Sequence, residues 1–135
     1  MTKKGTAEER DLVSKLWKLN FAAMRAPASG AATKHSIPDV IAGNGKIYLG
    51  IEVKTTVKEI IYIDSSQIEG LIDFCDIFGA KPFLGLKFKR TKWLFLSPKN
   101  VPRTKKGNYK VTKDFAIEKA LELDEILGID KQIKF

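Results

Sequence analysis

The chain has one cysteine and one histidine, and those two shortages exclude a good deal. Cys75 has no partner for an internal disulfide, so packing must hold the fold, and a reducing compartment is expected. Its place in an apolar helical run suits a small core residue. His35 and Cys75 together cannot supply a structural zinc set, which draws four ligands from these residue types. Long apolar runs are also missing. Nothing approaches the roughly 20 residues needed to span a bilayer, and Met1-Thr-Lys-Lys-Gly5 leads into a polar pattern without the apolar core of a signal peptide. A cytoplasmic protein with no membrane partner is expected.

Acidic residues are the next shortage. Sixteen Asp and Glu face 24 Lys and Arg, giving a formal net charge of +8 and a pI near 9.6, which points to a polyanionic partner and first to nucleic acid. A thermophilic host would explain many charges but not their imbalance in sign. At 135 residues and 44% hydrophobic content, the chain can bury one sizeable core. No repeat, low-complexity tract or second domain interrupts it, so residues 1–135 are expected to form a single domain.

What is present centres on Lys46-Ile-Tyr-Leu-Gly-Ile-Glu-Val-Lys54. The two-residue period of a strand sends Ile47, Leu49, Ile51 and Val53 one way and Tyr48, Gly50, Glu52 and Lys54 the other. Upstream, Ile37-Pro-Asp-Val-Ile-Ala42 is followed by Gly43-Asn-Gly45, a hairpin turn signal. A hairpin built on that turn brings Asp39 near Glu52. Two carboxylates beside a lysine suit a hard cation such as Mg²⁺, which takes oxygen ligands and retains waters. The plainer reading is a solvated Glu-x-Lys pair on an exposed sheet face.

Along the chain, Thr6 to Leu19 reads as a helix with a Thr6–Glu9 capping box and an apolar stripe of Leu12, Val13, Leu16, Trp17 and Leu19. Glu9 falls on the stripe and Glu8 towards its edge, so Glu9 needs a metal or a basic partner unless it only closes the box. A strand over Phe21–Arg25 precedes a small, aperiodic stretch, residues 26–36, expected to be a mobile loop whose Ser29 and Thr33 can reach a phosphate backbone. Thr55 to Ile63 reads as an irregular extension. Ser66 to Phe78 reads as a second helix, with a Ser66–Glu69 capping box and Gly79 as its stop.

That helix is apolar over more than one face. Leu71, Phe74 and Phe78 are expected on the surplus side, against a symmetric copy in a homodimer. The rival is that a last helix, within Lys113 to Leu127, covers the same face. Lys81–Lys87 and Lys92–Leu96 read as two more strands, and Lys89 and Arg90 at the tip between them are available to phosphates or serve as an edge guard. Arg103 to Lys110 reads as a second basic loop.

Pro38-Asp39, twelve intervening residues and Glu52-x-Lys54 resembles the catalytic motif of restriction-endonuclease-like nucleases. With Gly5-x-x-x-Glu9-Arg10, Arg25 and Ala42-Gly-Asn-Gly45, the chain resembles the archaeal Holliday junction resolvases. The resemblance runs from the first helix to about Gly79 and more weakly through Trp93-x-Phe95. It implies an α/β fold, a mixed β-sheet flanked by helices. It also implies Mg²⁺ (with Mn²⁺ as substitute) held by Glu9, Asp39 and Glu52, with Lys54 catalytic and Ser29 assisting. Arg10 and Arg25 would touch phosphates, and the second helix would join two subunits. The implied reaction is paired hydrolysis of four-way DNA junctions on the nucleoid. The competing functions are a repair or restriction-type nuclease on duplex DNA and a non-catalytic architectural DNA-binding protein.

Overall fold

In the computed structural model, residues 6–27 and 35–128 are described. The first helix, α1 (Thr6–Lys18), leads to β1 (Ala22–Arg25), β2 (Val40–Gly43) and β3 (Tyr48–Thr55). Then come β4 (Ile60–Ile63), α2 (Ser65–Phe78), β5 (Lys81–Lys87) and β6 (Leu94–Leu96). After a short 3₁₀ turn, β7 (Tyr109–Thr112), α3 (Lys113–Lys119) and α4 (Leu123–Ile126) complete the domain.

Five strands form one mixed sheet in the order β1-β2-β3-β5-β6. Only β3 and β5 run parallel, joined by the crossover through α2, and the other neighbours are antiparallel. The β2–β3 hairpin forms as the Asn-Gly signal predicts. Asn44 Oδ1 accepts from the N–H groups of Lys46 and Ile47 at 2.9 and 2.7 Å, and Gly45 takes φ +90°.

The period-two pattern of β3 places it between two hydrophobic layers. Leu49, Ile51 and Val53 face α1 and α4, meeting Leu12, Leu16, Ile126 and Leu127. On the opposite face, Leu84 and Leu86 of β5 meet Ile68, Leu71 and Cys75 of α2, and Ile61, Ile63 and Val111 of a small β4–β7 sheet. Gly50 belongs to this second face. A Cβ there would lie 2.5 Å from Cys75 Sγ and 3.1 Å from Pro38 Cγ, so only glycine lets α2 and the Pro38-Asp39 segment settle against β3.

Several expected boundaries move, each for a tertiary reason. The helix α2 starts at Ser65 with Asp64 as N-cap, and Gln67 Oε1 accepts from the Asp64 N–H at 3.4 Å; Ser66 and Glu69 do not form the box. Its end at Gly79, in the left-handed region, is as expected. The segment after Thr55 is not a mere extension, because Ile60–Ile63 pairs with Tyr109–Thr112. That pairing also makes a strand at the end of the second basic loop. The last helix is two short ones. Leu121 leaves the helical path to exchange two 2.8 Å hydrogen bonds with Phe95 on the sheet edge. Among the described residues no helix is long and apolar enough to cross a membrane.

Candidate active site

The ladder between β2 and β3 ends at the Val40–Ile51 pair, whereas β3 continues beside β5 through Glu52–Leu84 and Lys54–Leu86. The sheet therefore forks at Glu52. Asp39 sits in the fork: its Oδ2 accepts from the Val53 N–H at 2.8 Å, and its backbone carbonyl accepts from the Ala26 N–H at 2.9 Å. One residue thus ties together the end of β1, the start of β2 and the middle of β3.

Glu9 reaches the same place from the other layer. Helix α1 is pinned by Trp17 Nε1 donating to the Ala23 carbonyl at 2.9 Å and by Trp93 Nε1 donating to Asp11 Oδ2 at 3.0 Å. With Leu12 and Leu16 buried, helical spacing turns Glu9 inwards, and Arg25 Nε donates to Glu9 Oε1 at 3.1 Å. Glu9 therefore answers its partial burial with an ion pair.

The electrostatics register the crowding. Burial, and then the negative charge of Asp39, push the Glu52 carboxyl up to about 8, against the opposing charge of Lys54. Burial also raises Asp39, while the Val53 N–H, Lys54, a hydrogen bond from Glu52 and Arg25 pull it down. Glu9 is raised by burial and by Asp39, and eased by Arg25. Both carboxyls of the pair are thus easier to protonate than in water, Glu52 the more so. Two like charges brought together out of water behave this way unless a cation joins them.

Among the described residues, no three His, Cys, Asp or Glu side chains cluster closely enough to hold an ion by themselves. Asp39 and Glu52 still fit a hard cation. They supply two carboxylates, each raised chiefly by burial and crowded by the other, with a lysine beside them. Mg²⁺ characteristically takes one or two carboxylates and completes its shell with water and substrate oxygens.

Of the remaining expected site residues, Arg10, Lys89 and Arg90 are exposed, the last two at the β5–β6 turn beyond the fork. Ser29 and Thr33 lie outside the described residues, as does most of the 26–36 loop. Leu71 is a correction: it is 2% exposed and packs on β5 and the small sheet, so it is no interface residue. The surplus face of α2 carries Phe74, stacked on Phe78 at 5.2 Å, and Ile77, which is 90% exposed. Ile77 was available to sequence reasoning from its place one residue before Phe78. Trp17, Met24 and Tyr48, which line the depression beside Phe78, needed the sheet. The rival cover is also absent, since α3 and α4 pack chiefly on β6 and β7.

A mixed sheet forking over an aspartate and a Glu-x-Lys strand defines a nuclease of the restriction-endonuclease-like class. More narrowly, the chain belongs to the archaeal Holliday junction resolvase family, whose model, described as "Archaeal holliday junction resolvase (hjc)", matches residues 1–135. It is 39% identical over 135 residues to the crossover junction endodeoxyribonuclease Hjc of Archaeoglobus fulgidus, covering 100% of this chain and 97% of that one. Identity to the Methanocaldococcus jannaschii enzyme of the same name is 37% over 134 residues, or 98% and 92% of the two chains. The solved A. fulgidus Hjc, a Holliday junction resolvase from an archaeal hyperthermophile, superposes with a TM-score of 0.82 at 37% identity, covering 90% of this chain and 98% of that one.

Proposed function

We propose that this protein is a metal-dependent endodeoxyribonuclease that resolves four-way DNA junctions by paired phosphodiester hydrolysis, as a homodimer acting on nucleoid DNA inside the cell. The observation that carries the reading is the placement of Asp39, tied to the Val53 N–H, beside Glu52 and Lys54 where the sheet forks, in a chain of this family.

Bound at that pair, Mg²⁺ (or Mn²⁺) would polarise the phosphoryl group and acidify a water. Asp39 and Glu52, deprotonated, would hold the ion. Lys54 orients the attacking water and offsets the charge that grows on the phosphoryl oxygens. As the water oxygen bonds to phosphorus, the bridging P–O bond breaks; the water gives up a proton to solvent and the leaving oxygen takes one from solvent. Glu9, freed from Arg25, would hold a second ion or its water shell, and Ser29 would assist. Arg10, Arg25, Lys89 and Arg90 contact phosphates, which supplies affinity without reading sequence. Phe74, Ile77 and Phe78 bring two such sites together, so that a branched substrate is recognised by where its two scissile bonds lie.

The deciding experiment compares metal-dependent cutting of a four-way junction and of a linear duplex carrying the same arm sequences. Selective, paired cutting of the junction is expected, lost in Asp39→Ala while DNA binding persists. Equal cutting of both would make the protein a repair or restriction-type nuclease. Binding without any metal-dependent cutting would make it an architectural protein.

A further inference from the structure

Beyond the fork at Glu52, β3 and β5 run three pairs further, to Thr55 beside Lys87, and each then turns away. The two turns and the first turn of α1 enclose an open cleft. Lys58, Lys87, Lys89 and Arg90 line it, and Glu8 is the one acid among its lining residues. No ion pair among the described residues takes Lys58, Lys89 or Arg90.

The β5–β6 turn is built to hold still. Thr91 closes it on Phe88 through its backbone N–H (3.1 Å) and through both roles of its hydroxyl (3.0 and 3.1 Å), and Phe88 is buried in the core. Two lysines clamp its backbone: Lys113 Nζ donates to the Lys89 carbonyl at 2.8 Å, and Lys87 Nζ donates to the Thr91 carbonyl. A third link, Thr56 N–H to the Lys87 carbonyl at 3.1 Å, fastens the neighbouring turn to it.

Within this rigid turn, Arg90 adopts φ +67°. That left-handed conformation suits glycine, and a bulky side chain holding it costs on the order of 1 kcal/mol or more. Retaining an exposed arginine there is wasteful for folding. A solvated edge guard needs neither the strain nor the clamps, since any charge on a flexible tip would serve.

We propose that this cleft is a second DNA subsite, in which Lys58, Lys89 and Arg90 hold the sugar–phosphate backbone of a junction arm a few nucleotides from the bond being cut. The distance follows from the strand. From Glu52 to Thr55 is three residues, about 10 Å of extended chain. Duplex DNA advances about 3.4 Å per nucleotide, so an arm lying along β3 meets the cleft about three nucleotides from the scissile phosphate. The inference rests on the DNA-cleaving reading above and adds a fixed grip, separate from the metal pair, that sets the direction in which the arm leaves the site.

The test uses Arg90→Gly, which removes the side chain and relieves the backbone, with Lys58→Ala as a second variant across the cleft. Binding to a four-way junction is titrated against salt in an Asp39→Ala background, with neutral methylphosphonates placed singly along each arm. Each variant is expected to bind about eightfold more weakly at 0.1 M salt and to lower the log–log salt slope by about 1. Arg90→Gly should melt no lower than its parent. The parent should lose affinity when a phosphate about three nucleotides from the cut is neutralised, and Arg90→Gly should be indifferent to that change. Parental slopes in both variants, or no sensitive phosphate at that distance, would overturn the subsite while leaving junction cleavage by the unmodified protein intact. Failure of that protein to prefer junctions would instead remove the underlying reading.

Discussion

Arg25 Nε lies 3.1 Å from Glu9 Oε1, joining the end of β1 to the inward face of α1 across the mouth of the site. Each group is therefore committed before any phosphate or ion arrives. Their side chains are 31% and 18% exposed, so solvent still screens the pair. A double-mutant cycle with Arg25→Ala and Glu9→Gln, followed by thermal denaturation, should give a coupling below about 1 kcal/mol. On a junction, Arg25→Ala should also lower the salt slope by about 1. An unchanged slope would take Arg25 off the DNA-binding surface.

The raised Glu52 carboxyl makes stability depend on pH in a definite direction. Its folded value is about 8 against an ordinary 4.5, so the folded state binds the proton more tightly than the unfolded chain. That stabilisation is complete below about 4.5 and is lost as pH rises through about 8. Without divalent ions, the melting temperature should fall across that window. Millimolar Mg²⁺ should flatten the fall, because the ion replaces the proton. Asp39→Asn should also flatten it, by removing the neighbouring charge. A metal-free protein whose stability rises between these limits would show that the Glu52 carboxyl is not raised.

Lys54 opposes the rise of both Asp39 and Glu52. Replacing it with Met should therefore shift the midpoint of the pH–rate profile upwards. Loss of its charge in the transition state should slow single-turnover cleavage by roughly 10²–10³-fold. Junction binding should change by no more than a few fold. A variant with full cleavage at saturating DNA would show that Lys54 only packs the fork.

Sedimentation separates the two roles within α2. Ile77→Asp or Phe78→Asp should yield a folded monomer, since both side chains are exposed on the surplus face. Leu71→Ala should instead destabilise the protein by roughly 2–5 kcal/mol, as other buried leucine truncations do, and leave association of the folded fraction unchanged. A dimer unaffected by both charged variants would place the interface elsewhere.

Much of the site was legible in the sequence because its rules are local. The alternation of β3, the Asn44-Gly45 turn, the stop at Gly79 and the inward phase of Glu9 each follow from a few neighbouring residues and one backbone period. These suffice to put Glu52 beside Lys54 and to bring Asp39 towards both. The positive charge is likewise a property of composition.

The tertiary structure decided what periodicity leaves open. The α2 helix is apolar over so wide an arc that Leu71 and Ile77 look alike until β5 and the small sheet choose the side to bury. Leu121 has a helical context but leaves it, because the edge of β6 offers two hydrogen bonds that no local pattern announces. Strands β4 and β7 find each other across the whole of α2, β5 and β6. The Asp39 and Glu52 carboxyls are raised chiefly by burial, which arises only where β2, β3 and β5 come together at the fork. Local sequence sets how a segment repeats; which of its faces is buried, and what charge that burial tolerates, depends on neighbours far along the chain.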